Sequence, residues 1–155
     1  MPSIEIIKLR NEHTEKLIRF FNEINSPDYI KDFSPHPFDE EHARRVCNYQ
    51  GHDYYYSILL DRENIIGYFM LRGWDEGYDT PSIGLCVLKK YQGLGLGSLI
   101  MNFLEKVARL NGCSKVMLKV KKDNTVAKTL YVSHGYIFTE YNDEFLVGFK
   151  SISGE

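Results

Sequence analysis

Gln92-Gly93-Leu94-Gly95-Leu96-Gly97-Ser98 sets three alternating glycines between a β-rich run and an amphipathic helical one. Glycine removes the side chains that keep a backbone away from a bulky anion, so the N–H groups of this turn are free to point outward. Because the turn opens directly into a helix, those donors add to the positive end of the helix dipole, which favours a phosphate or pyrophosphate. The same glycines would also permit tight packing of helix on strand, so the turn alone leaves both readings open. Spacing sets two other nucleotide sites aside. A dinucleotide fingerprint needs G-x-G-x-x-G at the front of a doubly wound sheet, and a Walker A loop needs a lysine where this turn has Gly97 before Ser98.

Working outward, residues 82–88 read as the strand that feeds the turn, and 95–110 as the helix that leaves it. Leu96, Leu99, Ile100, Phe103, Leu104, Val107 and Leu110 follow the i, i+3, i+4, i+7 rule, and Asn111-Gly112 is a natural stop. Downstream, Val116, Leu118 and Val120 alternate as a strand, 124–134 reads as a helix, and 137–141 with 145–149 form a closing antiparallel pair. Upstream, 54–60 and 65–71 are β-rich runs joined by the polar turn Asp61-Arg62-Glu63-Asn64, a hairpin. The chain begins with a strand at 4–9 and a helix at 13–25 carrying Leu17, Phe20, Phe21 and Ile24 on one face. Ser26-Pro27 ends that helix, 27–38 is an aromatic, proline-rich ordered loop, and Asp39-Glu40-Glu41 is the acidic first turn of another helix. This order predicts one α/β (α+β) domain over 1–155, with a mixed, mostly antiparallel sheet of six to seven strands flanked by about four helices.

At 155 residues, 43% hydrophobic and 26% charged, the chain holds one ordinary core and no second catalytic domain. A net charge of -2 argues against a nucleic-acid partner. Cys47, Cys86 and Cys113 lie in or beside apolar segments and read as reduced thiols, none spaced as a zinc ligand, so no metal is expected. Met1-Pro2-Ser3-Ile4-Glu5 meets a charge at once and no run approaches spanning length, so no membrane association and a cytoplasmic location are the expectations.

The residues from Val87 to Ser98 resemble the acetyl-CoA motif of the GCN5-related N-acetyltransferase (GNAT) family, Gln/Arg-x-x-Gly-x-Gly/Ala, matched by Gln92, Gly95 and Gly97. Asn124, Ala127, Leu130, Tyr131, Gly135 and Tyr136 resemble that family's second signature, at the expected distance. The resemblance extends from about Ile65 to Phe149. It implies acetyl-CoA as cosubstrate, bound by the backbone of Leu85, Cys86 and Val87, by the turn Gln92, Gly93, Leu94, Gly95, Leu96, Gly97 and Ser98, and by Asn124 and Tyr131. A Val87 N–H would lie near the thioester oxygen. Tyr131 would be the general acid to the departing thiolate, since a phenol near ~10 stays protonated at neutral pH beside a thiol near ~8.5. Without the resemblance, Tyr131 would read as a helix residue packed on the sheet. Asn124 also suits the N-cap of its helix. Lys121 and Lys128 could meet nucleotide phosphates or simply be solvated.

No carboxylate is inherited as general base, because Ser82, Gly84 and Cys86 occupy the strand and Lys119 stands where some relatives carry an acid. The acidic loop of residues 72–81 offers Asp75, Glu76 and Asp79, with Asp79 closest to the strand and therefore the catalytic candidate, acting through water. His36, His42, His52 and His134 titrate usefully but sit in no motif. Trp74, Asp75, Glu76 and Tyr78 are the expected substrate contacts, with the 27–38 loop beside them. Aromatic rings next to acids suit a cationic amine. The expected reaction is acetyl transfer from acetyl-CoA to a primary amine of a small molecule, an amino sugar first, by direct attack in a ternary complex. A polyamine, an amino acid, a protein N-terminus or lysine, or a non-catalytic acyl-CoA sensor are the alternatives, and family habit implies a homodimer.

Overall fold

The computed structural model describes residues 1–153. Seven strands form one sheet in the order β1-β2-β3-β4-β5-β7-β6: β1 Ile4–Lys8, β2 Tyr54–Leu60, β3 Asn64–Arg72, β4 Ser82–Val87, β5 Lys115–Lys121, β6 Ile137–Glu140 and β7 Phe145–Ser151. All neighbours are antiparallel except β4 and β5, which are parallel and whose paired residues are Ser82↔Met117 and Ile83↔Leu118. Beyond Ile83 the two central strands have no paired residues. That opening positions the site.

The helices are α1 Thr14–Ile24, α2 Pro27–Ile30, α3 Glu40–Cys47, α4 Leu96–Leu110 and α5 Thr125–Ser133. The mixed sheet and its flanking helices match the expected fold, and the strand limits fall within about two residues of those read from alternation. One segment differs. The predicted loop 27–38 starts with a single helical turn, because Pro27 at the first helical position has a fixed φ suited to it and no N–H to waste.

On one face of the sheet α1 buries Leu17, Phe20, Phe21 and Ile24 as predicted. Tyr68 of β3 is the hub there, edge-on to Phe20, Phe21 and Phe33 at ring-centroid distances of 6.3, 5.3 and 6.2 Å. On the other face α4 covers Phe69 and Tyr56 through Phe103. Its buried residues are Ile100, Met101, Leu104, Glu105 and Ala108, so the buried stripe is rotated from the predicted one, and Leu110 is 88% exposed. The rotation has a cause in α5 and the strands beyond it. Gly97 lies against Leu130, and Glu105 accepts from the Tyr136 hydroxyl (2.9 Å) and Lys150 Nζ (2.7 Å), so part of the helix surface is buried by polar and small residues. Among the described residues no helix is long and apolar enough to cross a membrane.

Candidate active site

The backbone of β4 carries the first part of the site. Leu88 N–H donates to Ile66 O (2.9 Å), toward β3, so by the alternation of an antiparallel strand the amide groups of Leu85 and Val87 point the other way, into the gap where β5 has diverged. Gln92 Nε2 donates to Val87 O at 3.0 Å and pins this end of the strand. The expected contacts Leu85 and Val87 therefore present main-chain groups to the opening, whereas Cys86 directs its own toward β3.

The glycine turn follows. Gly93 (φ 79°) and Gly95 (φ 84°) adopt left-handed conformations that a side chain would strain, and a Cβ on either would meet nothing within 4 Å. The backbone there is bare and faces open space. Gly97 serves differently: a Cβ on it would come within 3.0 Å of Leu130, so it permits the approach of α5 to α4. Gly95 is the N-cap of α4 and supplies no side-chain cap, while Leu99 N–H makes the first intrahelical bond, to Gly95 O. The N–H groups of Leu96, Gly97 and Ser98 are thus the orphan donors of a four-turn helix, aimed with its dipole. Ser98 Oγ is 2.7 Å from His134 Nε2, a pairing that no sequence motif announced.

Gap and turn open into one cavity of about 650 Å³. Asn124, Ala127, Leu130 and Tyr131 line it from α5 and its N-cap. Asn124 Oδ1 accepts from Ala127 N–H (3.2 Å), so it caps α5 while bordering the cavity. The Tyr131 side chain is buried, and burial pushes its phenol up to about 12. Among the described residues its hydroxyl has no hydrogen-bond partner, yet it is not sealed from solvent-sized space, because the ring borders the cavity. Burial also raises the Cys86 thiol to about 12, so it stays protonated and is not a nucleophile at neutral pH.

The opposite wall comes from α2 and the residues after it: Asp28, Tyr29, Lys31, Asp32 and Phe33. Lys89 N–H donates to the Tyr29 hydroxyl (2.8 Å) and Lys89 Nζ lies 3.8 Å from Asp28, which straps α2 to the end of β4. The family resemblance implied that the 27–38 segment borders the acceptor cleft but did not single out these residues, since the contact is tertiary and far apart in sequence.

The acidic loop lies elsewhere. It joins β3 to the start of β4, a strand length of roughly 17 Å from the glycine turn, and Trp74, Asp75, Glu76, Tyr78 and Asp79 are absent from the cavity wall. Asp53 Oδ1 accepts from Gly73 N–H (3.0 Å) and Trp74 N–H (2.9 Å), and Asp75 accepts from His52 N–H (2.9 Å) and the Tyr49 hydroxyl. The Tyr49 bond, more than any other contact, holds the Asp75 carboxyl below its ordinary range. Asp75 thus anchors its own loop, Trp74 packs edge-on to Tyr54 (5.6 Å), and Glu76, Tyr78 and Asp79 are exposed. Lys121 and Lys128 also lie off the cavity wall. No cluster of three or more His, Cys, Asp or Glu is placed to hold a metal among the described residues.

Residues 18–136 match the Acetyltransferase (GNAT) family. Among solved structures, a GNAT-family acetyltransferase from Streptococcus pneumoniae is similar at 17% identity and TM-score 0.75, over 96% of this chain and 99% of that one. PaiA N-acetyltransferase from Thermoplasma acidophilum, solved in complex with coenzyme A, is similar at 20% identity and TM-score 0.76, over 96% and 99%. The GNAT domain of S. lividans PAT is similar at 15% identity and TM-score 0.80, over 96% and 90%. A diverging central strand pair, a bare glycine turn heading a long helix and a buried tyrosine between them thus agree with the family match over most of the chain, which belongs to the GNAT acetyltransferases.

Proposed function

We propose that this GNAT acetyltransferase moves an acetyl group from acetyl-CoA to the primary amine of a small molecule by direct attack in a ternary complex. The observation that carries the reading is the convergence on one cavity of the glycine-turn amides, the free backbone of Leu85 and Val87, and the Tyr131 phenol. The turn would hold the diphosphate, β4 the pantetheine arm, and the Val87 N–H the thioester oxygen, where a donor strengthens as negative charge develops. A cavity of this size lies within the range typical of small-molecule sites.

The acceptor must reach the carbonyl as a neutral amine. Asp28 is engaged with Lys89, which leaves Asp32 as the cavity carboxylate without a salt bridge among the described residues, suited to draw an ammonium and take its proton through water. Asp79, exposed beyond the far end of β4, is remote from that task. The nitrogen lone pair then forms the C–N bond as the C–S bond breaks. Tyr131 donates to the departing sulfur, and the proton crosses as that bond is lost. The phenol is a weaker acid than a thiol, so its hydrogen bond carries most of the stabilisation and it is reprotonated by the proton shed from nitrogen. A protonated Cys86 supports direct attack over an acyl-cysteine route.

Two measurements test the reading. Titration of coenzyme A by calorimetry is expected to give a saturable heat, and acetyl-CoA with a panel of primary amines is expected to release free thiol in proportion to acylated product. Binding without thiol release on any amine would make the protein an acyl-CoA sensor instead, and no heat from folded protein would remove the cofactor assignment.

A further inference from the structure

We infer that the acceptor is an amine carrying an anionic group a few bonds from its nitrogen, as an α-amino acid does, with Lys119 binding the anion and Asp32 the ammonium. This rests on the acyl-transfer reading above and narrows its acceptor.

The pairing of β4 and β5 stops at Ile83↔Leu118, so Gly84 and Lys119 are the first couple beyond the fork. Both belong to the α1 face. A Cβ on Gly84 would touch Met70 and Phe33, which packs against Tyr68 and Phe38 on that side. On β5, Val116, Leu118 and Val120 are buried while Lys119 between them is exposed, so it takes the face opposite theirs. Lys119 Nζ is held 4.4 Å from the Tyr141 ring centroid and 5.0 Å from that of Phe145, and the residue lines the cavity. The rings fix the position of the charge without filling the three N–H donors of the ammonium.

Five charged residues line this cavity: Asp28, Lys31, Asp32, Lys89 and Lys119. Asp28 and Lys89 pair with each other at 3.8 Å. Lys31, Asp32 and Lys119 make no salt bridge among the described residues, leaving two cations and one anion. An amine with its own carboxylate or phosphonate satisfies Asp32 and gives the ring-held Lys119 an acceptor of hydrogen bonds.

The test is acetyl-CoA-dependent thiol release on three matched panels: the common α-amino acids, their α-carboxamides, and dipeptides with the same N-terminal residue, which move the carboxylate one peptide unit away. At least one free amino acid is expected to exceed its amide and dipeptide tenfold or more in kcat/KM. Lys119→Met is expected to bring that ratio near one by raising the acceptor KM, with coenzyme A affinity unchanged, and Lys119→Arg to restore part of it. Should Lys119→Met fail to fold, the wild-type ratios still decide. Amides or dipeptides turned over as well as the acids, a ratio untouched by Lys119→Met, or thiol release from none of the panels despite coenzyme A binding would each overturn the inference. Loss of coenzyme A binding itself would instead overturn the reading beneath it.

Discussion

The ring of Phe33 closes over Gly84: a methyl group added at Gly84 would lie 3.5 Å from Phe33 Cε1 and 3.3 Å from Met70 Cγ. Phe33 is held there by stacking on Phe38, at 5.9 Å and 17°, and by the edge of Tyr68. Gly84 is the first residue of β4 beyond the fork, so this ring roofs the narrow end of the cavity. On the acyl-transfer reading, an acyl chain longer than acetyl would have to displace it. Phe33→Ala is expected to raise kcat/KM for butyryl-CoA relative to acetyl-CoA by about tenfold or more, the scale set by one or two methylenes gaining room. Equal use of both thioesters by the unaltered protein would show that the ring sets no limit.

Gln92 acts on the same strand from its other end. Its amide donates to Val87 O, so the first residue of the family motif secures β4 as well as bordering the cavity. Loss of one hydrogen bond of this kind costs about 1 kcal/mol. Gln92→Ala is therefore expected to raise the KM for acetyl-CoA about fivefold with kcat little altered, which steady-state kinetics at saturating acceptor would read.

A Tyr131 variant offers a test that separates binding from chemistry. The tyrosine hydroxyl meets no protein partner among the described residues, and burial keeps it protonated, so removing the oxygen leaves the packing nearly intact. Tyr131→Phe is expected to lower kcat by about a hundredfold, within the usual contribution of a positioned acid. Coenzyme A affinity by calorimetry should hold. Full turnover in the variant would exclude the phenol from the mechanism.

How far such residues can be found without coordinates depends on whether their signal is local. Gly95 and Tyr131 stand at positions that fixed spacings single out, and the bounds of β2 are legible to the residue because Tyr54–Leu60 is a β-rich run flanked by a polar turn. The buried face of α4 was less so. Apolar residues occur almost all round that helix, so periodicity could not choose between stripes, and the choice fell to Leu130 pressing on Gly97 and to Tyr136 and Lys150 meeting Glu105. Phe33 and Asp32 reach the cavity only because Tyr29 ties α2 to Lys89, a contact with no local signature. The acidic loop shows the opposite limit. Composition reveals its charge but not that Asp53 accepts from the loop's Gly73 and Trp74 N–H groups while Asp75 accepts from His52 N–H outside it.

That occupancy gives two contrasting expectations. Asp79 is exposed and off the cavity, so Asp79→Asn should leave the pH–rate profile unchanged and kcat/KM within about twofold, as for most surface changes. Asp53 is 8% exposed and receives two good backbone hydrogen bonds through one oxygen. Asp53→Ala strands those donors and should cost about 2–4 kcal/mol of stability by urea denaturation. A shifted basic or acidic limb in Asp79→Asn would restore that residue as the base.

His36 couples folding to pH on the same side of the sheet. Nδ1 lies 2.7 Å from Pro37 O and Nε2 lies 2.8 Å from the Tyr68 hydroxyl. A carbonyl can only accept, so Nδ1 carries the proton and Nε2 accepts from Tyr68, which is fully buried. Burial lowers the His36 pKa most; Arg72 and the stacked His42 push the same way, while the Pro37 bond and Asp39 oppose. The unfolded chain therefore takes up the proton first as pH falls below 6.5, and stability drops from there down to the folded-state pKa. His13 shifts in the same direction, so the whole-protein curve does not isolate His36. The difference does: between pH 7.5 and 5.5 the urea midpoint of the unaltered protein should fall further than that of His36→Gln, whose amide can still accept from Tyr68 without titrating. Parallel decline in the two proteins would show that His36 protonation is not linked to folding.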